Sequence, residues 1–187
     1  MNLFYERFPD GIEVSGQEIR IVTDFREYIK LLDMLKDDEL SGTDKICILR
    51  EYFIDDVPNL DEAIEKLCLF VAMESDKKED EGKVMSGEQK SKPLFSYSED
   101  FPYIISGFLR DYHIDLCEIK YMHWWKFRAL FDGLSEDTEI KQRIMYRSID
   151  LSSIKDKEEK KRIKKIQNAI QLPEEVLSDY EIGEIFA

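Results

Sequence analysis

Residues able to hold a metal, a disulfide or a phosphate are scarce in this chain. It has 2 histidines, 3 cysteines and 8 glycines among 187 residues. Cys47, Cys68 and Cys117 are scattered and odd in number, and each stands in a helix-like apolar stretch. They read as buried thiols in a reducing compartment rather than as a disulfide frame. His113 and His123, with Cys117 between them, fit no zinc spacing, because Cys-x-x-Cys and His-x3-His pairs are absent. No motif joins Cys117 to a histidine as nucleophile and base. The glycines never gather into a phosphate-cradling GxxxxGK[ST] or GxGxxG loop. No apolar run is long enough to span a membrane, and residues 1–10 carry Glu6, Arg7 and Asp10, unlike a signal peptide. Basic residues are the minority, 27 against 41 acids, for a net charge of -14 and a pI of about 4.7. Such a chain repels phosphate backbones and anionic lipid. Acid pairs such as Asp37-Asp38 and Asp55-Asp56 read as helix-end solvation. The expectation is a cytoplasmic protein that is not an enzyme, with no cofactor, no metal, no nucleic acid and no membrane partner.

What the chain does have is apolar mass and helical periodicity. At 43% hydrophobic and 12% aromatic it can bury a real core, and the 36% charged fraction suits helices with solvated faces. Both tryptophans lie side by side in residues 121–134. On a helical wheel Tyr121, Trp124, Phe127, Phe131 and Leu134 form one stripe, widened by Met122, Trp125 and Ala129. A helix apolar over most of its circumference belongs in a core. Gly133 supplies its stop and Ser135 a fresh cap.

Strand character is confined to the start. Ile12 and Val14, then Ile19 and Ile21, alternate with polar residues around Ser15-Gly16, which predicts a hairpin that must lean on the helices after it. Asp24 or Thr23 caps a helix with Phe25, Tyr28, Ile29, Leu32 and Leu35 inward. A second helix runs from Thr43 or Asp44 to about Phe53, with Ile46, Cys47, Arg50 and Phe53 along one side. A third is capped by Asn59 with Glu62 in the capping-box place, and Leu60, Ile64, Leu67, Cys68 and Val71 form its face. Residues 75–93 hold almost nothing that could form a core and read as a flexible acidic and polar linker or long loop. Beyond it, Ser98 caps a helix with Phe101, Ile104, Ile105, Phe108, Leu109 and Tyr112 as its broad face. After the tryptophan stretch, Glu136 and Asp137 open a helix with Ile140, Ile144 and Met145 inward. A basic helix over about 155–171 leaves a thin seam of Ile163, Ile166 and Ile170. Three acids interrupt its lysines and it has no aromatics for base stacking, so its face reads as solvated or acid-partnered. The chain thus divides into 1–74 (hairpin plus helices), 75–93 (linker), 94–172 (helical) and 173–187 (acidic-apolar tail). The expected class is mainly α, a helical bundle-like domain with a small N-terminal β-hairpin. The Ile163–Ile166–Ile170 seam and the tail residues Val176, Tyr180 and Phe186 are too narrow to be core, which makes them candidate partner-binding positions.

The string His123-Trp124-Trp125-Lys126-Phe127-Arg128-Ala129-Leu130-Phe131-Asp132-Gly133-Leu134 resembles the signature of the bacteriophage Gp-fifteen (gene product fifteen) family of phages and prophages. Thr23-Asp24-Phe25-Arg26, Ile114-Asp115-Leu116, Tyr146-Arg147-Ser148 and Lys155-Asp156-Lys157 fit as well, so the resemblance covers nearly the whole chain, from Phe8 to about Gln171. It marks His123, Trp124, Trp125, Phe127, Arg128 and Phe131 as signature or core positions. By its expected gene position before the tape-measure protein, that family is similar to tail assembly chaperones. The resemblance therefore implies a factor that binds the tape-measure protein and other tail-assembly proteins in the bacterial host cytoplasm. The alternative it leaves is a structural tail or head-tail component of the virion. A homo-oligomer stays open.

Overall fold

The computed structural model describes residues 7–73 and 93–173. They are mainly α: seven helices and one two-stranded antiparallel hairpin. Residues 7–73 and 121–128 belong to one compact unit, and 93–120 and 129–173 to a second. The sequence assigns the whole tryptophan stretch to a C-terminal part. In the structure its first half joins the N-terminal unit instead, because its partners there are the hairpin-to-helix junction and the third helix. The expected linker lies outside the described residues except for Pro93, and the expected tail except for Pro173.

In the first unit, β1 (Gly11–Val14) pairs with β2 (Gln17–Arg20), with Ile12 opposite Ile19. Ser15 and Gly16 both take positive φ, 51° and 77°. That is the I′ turn whose twist suits a two-residue hairpin, and the sequence supplies a glycine at its second position. Ile12, Val14 and Ile19 point inward. The hairpin leans on its neighbours through two sets of bonds. Ser15 donates from its backbone N–H and its hydroxyl to the Glu62 carboxylate, at 2.9 and 2.7 Å. Residues 52–54 run alongside β2, where Val22 N–H donates to Tyr52 O and Ile54 N–H to Arg20 O, each at 2.9 Å.

Helix α1 (Phe25–Lys36) is capped by Asp24 and buries Phe25, Tyr28, Leu31, Leu32 and Leu35, while Ile29 is only half-buried. Helix α2 (Gly42–Arg50) departs from its expected form. Its cap is Ser41 in a reciprocal capping box with Asp44, and it stops at Arg50. Ile46, Cys47 and Arg50 are exposed, and Leu49 is its buried residue. Phe53 is buried, but outside the helix: the pairing of 52–54 with the hairpin claims the residues a longer helix would have needed. In α3 (Leu60–Ala72) Asn59 is the cap, and Ala63, Leu67, Phe70 and Val71 are buried, while Leu60, Ile64 and Cys68 are half-buried. The Glu62 carboxylate serves Ser15 rather than closing the expected box on the Asn59 backbone.

Helix α4 (Phe101–Tyr112) opens the second unit. Its N-cap is Asp100, not Ser98, and Pro102 occupies its first turn. Ile104 and Phe108 face inward, together with Gly107, where an added Cβ would lie 3.2 Å from a Leu134 methyl. Phe101 and Leu109, expected inside, are 56% and 50% exposed. Close packing across Gly107 turns the helix so that one edge of its broad apolar face reaches solvent. Helix α5 (Trp124–Asp132) starts in the first unit and ends in the second. Ser135 is no cap. Its backbone carbonyl accepts from Thr138 N–H at 2.9 Å in a turn, and α6 (Glu139–Ser148) begins only after Thr138. Ile140 is buried, Ile144 half-buried and Met145 exposed. Helix α7 (Lys157–Ala169), capped by Asp156, buries Ile163 against the second unit.

Candidate functional site

The most distinctive constellation lies at the start of α5. Before the helix begins, the chain is extended: Phe25 N–H donates to Met122 O at 3.0 Å and Trp124 N–H to Thr23 O at 2.7 Å. Extended residues alternate sides, so Met122 is buried and Tyr121 is 56% exposed, its hydroxyl 2.8 Å from Thr23 Oγ1. The expected stripe therefore loses Tyr121, and Ala129 also lies exposed.

His123 holds the N-cap place of α5. Its carbonyl accepts from Phe127 N–H at 3.0 Å, and its Nδ1 accepts from Trp125 N–H at 3.0 Å. An acceptor Nδ1 places the ring proton on Nε2, which donates to Pro9 O at 2.9 Å. Phe8 stacks on the ring at 4.9 Å and Phe70 meets it edge-on at 5.8 Å. Burial holds the His123 pKa below its ordinary value, opposed by the bond to Pro9 and the nearby Asp10 carboxylate. The neutral imidazole is the form this cap requires.

The two indoles complete the clasp. Trp124 Nε1–H donates to Val71 O at 3.0 Å and Trp125 Nε1–H to Phe70 O at 2.8 Å. Both acceptors lie in the last turn of α3, where carbonyls run out of helical donors; Phe70 O also accepts from the N–H of the C-cap Met73 at 3.1 Å. Around them, Trp124, Tyr28 and Phe127 are fully buried, and Phe25 stacks on Phe127 at 4.5 Å. Arg128 lies over the Trp124 ring, 5.5 Å from its centroid. Tyr28 donates its hydroxyl to Val22 O and Tyr52 donates to Glu27 O, and burial raises the pKa of both phenols. This is an interior: the polar tips of its indoles, phenols and imidazole are spent on backbone, while the buried Arg128 Nε has no hydrogen-bond partner among the described residues. The remaining signature residue, Phe131, is buried in the second unit against Phe95 and Tyr97.

The second unit has its own hub, which sequence reasoning missed. Arg147 forms a two-pronged pair with Asp100, at 2.6 and 2.9 Å, with side chains only 8% and 2% exposed. The same guanidinium donates to Leu94 O at 3.0 Å and to Ile170 O at 2.8 Å. Asp100 also accepts from Ser96 N–H at 3.1 Å. Beside this hub lies a groove of about 610 Å³ lined by Arg147, Ile149, Leu151, Gln167 and Leu172 among others. Gln167 spends its amide on Tyr146 O and Ile149 O, at 2.9 and 2.8 Å. The donors of Arg147 and Gln167 are thus committed to the fold.

The expected partner-binding seam is largely internal. Ile163 is 4% exposed, and Ile166 and Ile170 are half-buried. Val176, Tyr180 and Phe186 lie outside the described residues. The cysteines also differ from expectation: Cys47 and Cys117 are exposed, because the inward faces of their segments run through Leu49 and Leu116. Cys68 is half-buried, and burial pushes its thiol up to about 12. His113, at the exposed left-handed C-cap of α4, and Cys117 belong to the second unit, and His123 to the first. Among the described residues no group of three or more His, Cys, Asp or Glu is placed to hold a metal. None of the described helices is long and apolar enough to cross a membrane.

Fold and site together define a mainly α protein whose most aromatic stretch is a structural clasp. The model of the family described as bacteriophage Gp15 protein matches residues 4–172, most of the chain, and the chain belongs to that family. No curated protein and no solved structure matches it.

Proposed function

We propose that this protein is a tail assembly factor, a chaperone that binds the phage tape-measure protein in the host cytoplasm and is not an enzyme. Membership of the bacteriophage Gp15 family over residues 4–172 carries the reading, through that family's similarity to tail assembly chaperones. The composition agrees in kind: a net charge of -14 opposes aggregation and steers a basic client. With Ile163 taken up in the interior, the client surface moves to α4. Phe101 and Leu109, 56% and 50% exposed, flank half-buried Ile105 at i, i+4 and i+8. That spacing suits an amphipathic client helix laid along it. Co-expression with the protein of the adjacent tape-measure gene is the test: the client becomes soluble and the two co-purify. Purified particles that contain this protein, with a client that stays insoluble and unbound, would replace the reading by a structural tail or head-tail component.

A further inference from the structure

One surface is left unused by the clasp, the hub and the proposed client face. Residues 155–165 carry 7 of the chain's 27 bases against 3 acids, so they are basic in a chain that is otherwise acidic. In α7 the distribution is one-sided. Ile163, Ile166 and Ile170 mark the inner face, and Lys157, Lys161, Lys164 and Lys165 recur at i, i+4, i+7 and i+8 on the opposite pole. All of these lysines are exposed. None of them forms an ion pair with another described residue. Lys157 with Lys161, and Lys161 with Lys165, are like charges at i, i+4, which weakens an isolated helix. The fold therefore carries a cationic ridge, about 12 Å from Lys157 to Lys165, in which Glu158 is the one acid beside the lysines among the described residues.

We infer that this ridge is the self-association surface of the protein and docks on the acid-rich first unit of a second copy. Three observations select that occupant. The first is complementarity: residues 7–73 hold 16 acids against 8 bases, so each copy carries both halves of the contact. The second is the chemistry of the ridge. Its outward pole is lysine, a point charge suited to a diffuse acidic surface rather than to fork-like recognition of one phosphate or carboxylate. The third is what disfavours nucleic acid: the ridge has no aromatic for base stacking, and a net charge of -14 repels a phosphate backbone at longer range. Two different patches meet in such a contact. It is head-to-tail, and it builds a ring where the rotation closes and an open chain where it does not.

Sedimentation velocity on the full chain tests this without any client, so its outcome is separate from that of the tape-measure experiment. The wild type is run over a concentration series at about 50 mM and about 500 mM salt, ionic strengths at which exposed charges are weakly and strongly screened. The comparison is the variant Lys157→Gln/Lys161→Gln/Lys164→Gln/Lys165→Gln, which keeps good helix formers at each position. A Lys→Glu set at the same positions is the stronger reversal, and far-UV circular dichroism confirms that both sets retain α7. The expected result is concentration-dependent association of the wild type at low salt, weakened at least tenfold by high salt and by the Gln set, and abolished by the Glu set. A wild type that stays monomeric at low salt overturns the proposal, as does a folded Gln or Glu variant that associates like the wild type. Binding of a short DNA duplex through these lysines, more tightly than self-association at the same salt, would assign the ridge to nucleic acid instead.

Discussion

The two units solve the same packing problem with different materials. The first closes its core with aromatic rings whose polar tips end on backbone: Trp124 and Trp125 on the last turn of α3, Tyr52 on Glu27, His123 on Pro9 and Trp125. The second is tied by a buried ion pair, Asp100 with Arg147, whose guanidinium also gathers two backbone carbonyls. Large apolar side chains do not follow that division. Trp124, Tyr28 and Phe127 of the first unit and Phe108 and Ile140 of the second are fully enclosed, while Ile46, Ile54 and Tyr121 of the first and Phe101, Leu109 and Met145 of the second stand open to solvent. Neutral hydrogen bonds at the ends of apolar bodies let a core consume its aromatics. A charged hub fixes positions through a buried, hydrogen-bonded charge pair instead.

The largest effect should come from breaking the clasp. Trp124→Ala removes a fully buried indole and leaves Val71 O without its donor, and is expected to cost about 3–5 kcal/mol in denaturant unfolding. Trp125→Ala should fall in the same range. Variants that unfold like the wild type would place the clasp outside the core.

The hub should come close behind. Arg147→Ala leaves the Asp100 carboxylate buried without its partner and is expected to destabilise by about 3 kcal/mol. Asp100→Asn combined with Arg147→Met removes both charges at similar volume and should regain part of that loss. A double variant no better than the single one would show that the carbonyl contacts, rather than the charge pair, hold this unit.

A smaller effect separates the units by pH. His123 has its folded pKa below the ordinary value of 6.5, so the folded state binds fewer protons than the unfolded state between the two. Its contribution is whole above about pH 6.5 and is lost as pH falls through the lower folded value. Protonation would also turn Nδ1 into a donor facing the Trp125 N–H and put a positive charge at a helix N-terminus. Stability measured by denaturation should fall on going from neutral to mildly acidic pH. His123→Asn, which keeps a capping acceptor but does not titrate, should flatten that slope. An unchanged slope in the variant would assign it to other groups.

Much of the fold is legible in the sequence because it is local. The alternation of residues 12–21, the turn at Ser15-Gly16 and the Asp24 cap are short-range patterns, and the structure reproduces them. The tryptophan stripe reads as core, and Trp124, Trp125, Phe127 and Phe131 are buried. What local pattern cannot show depends on distant residues. Asp100 and Arg147 are 47 residues apart, and Glu62 and Ser15 likewise, so no periodicity links either pair. Tyr121 drops from the stripe because pairing with residues 23–25 holds it extended. Ile46 and Cys47 turn outward because residues 52–54 are drawn to the hairpin. Phe101 and Leu109 satisfy every helical rule for an inward face, and only the close approach at Gly107 decides that they stay outside.

The smallest expected change in stability gives the most direct test. If the signature stretch holds the fold and α4 meets the client, the two roles separate by substitution. Phe101→Ser combined with Leu109→Ser alters exposed positions and should change stability by no more than about 0.5–1 kcal/mol. Co-purification of this variant with the co-expressed tape-measure protein, scored beside its unfolding midpoint, is the deciding measurement. The account predicts a folded protein that no longer retains the client. A folded variant that retains the client as the wild type does would contradict it.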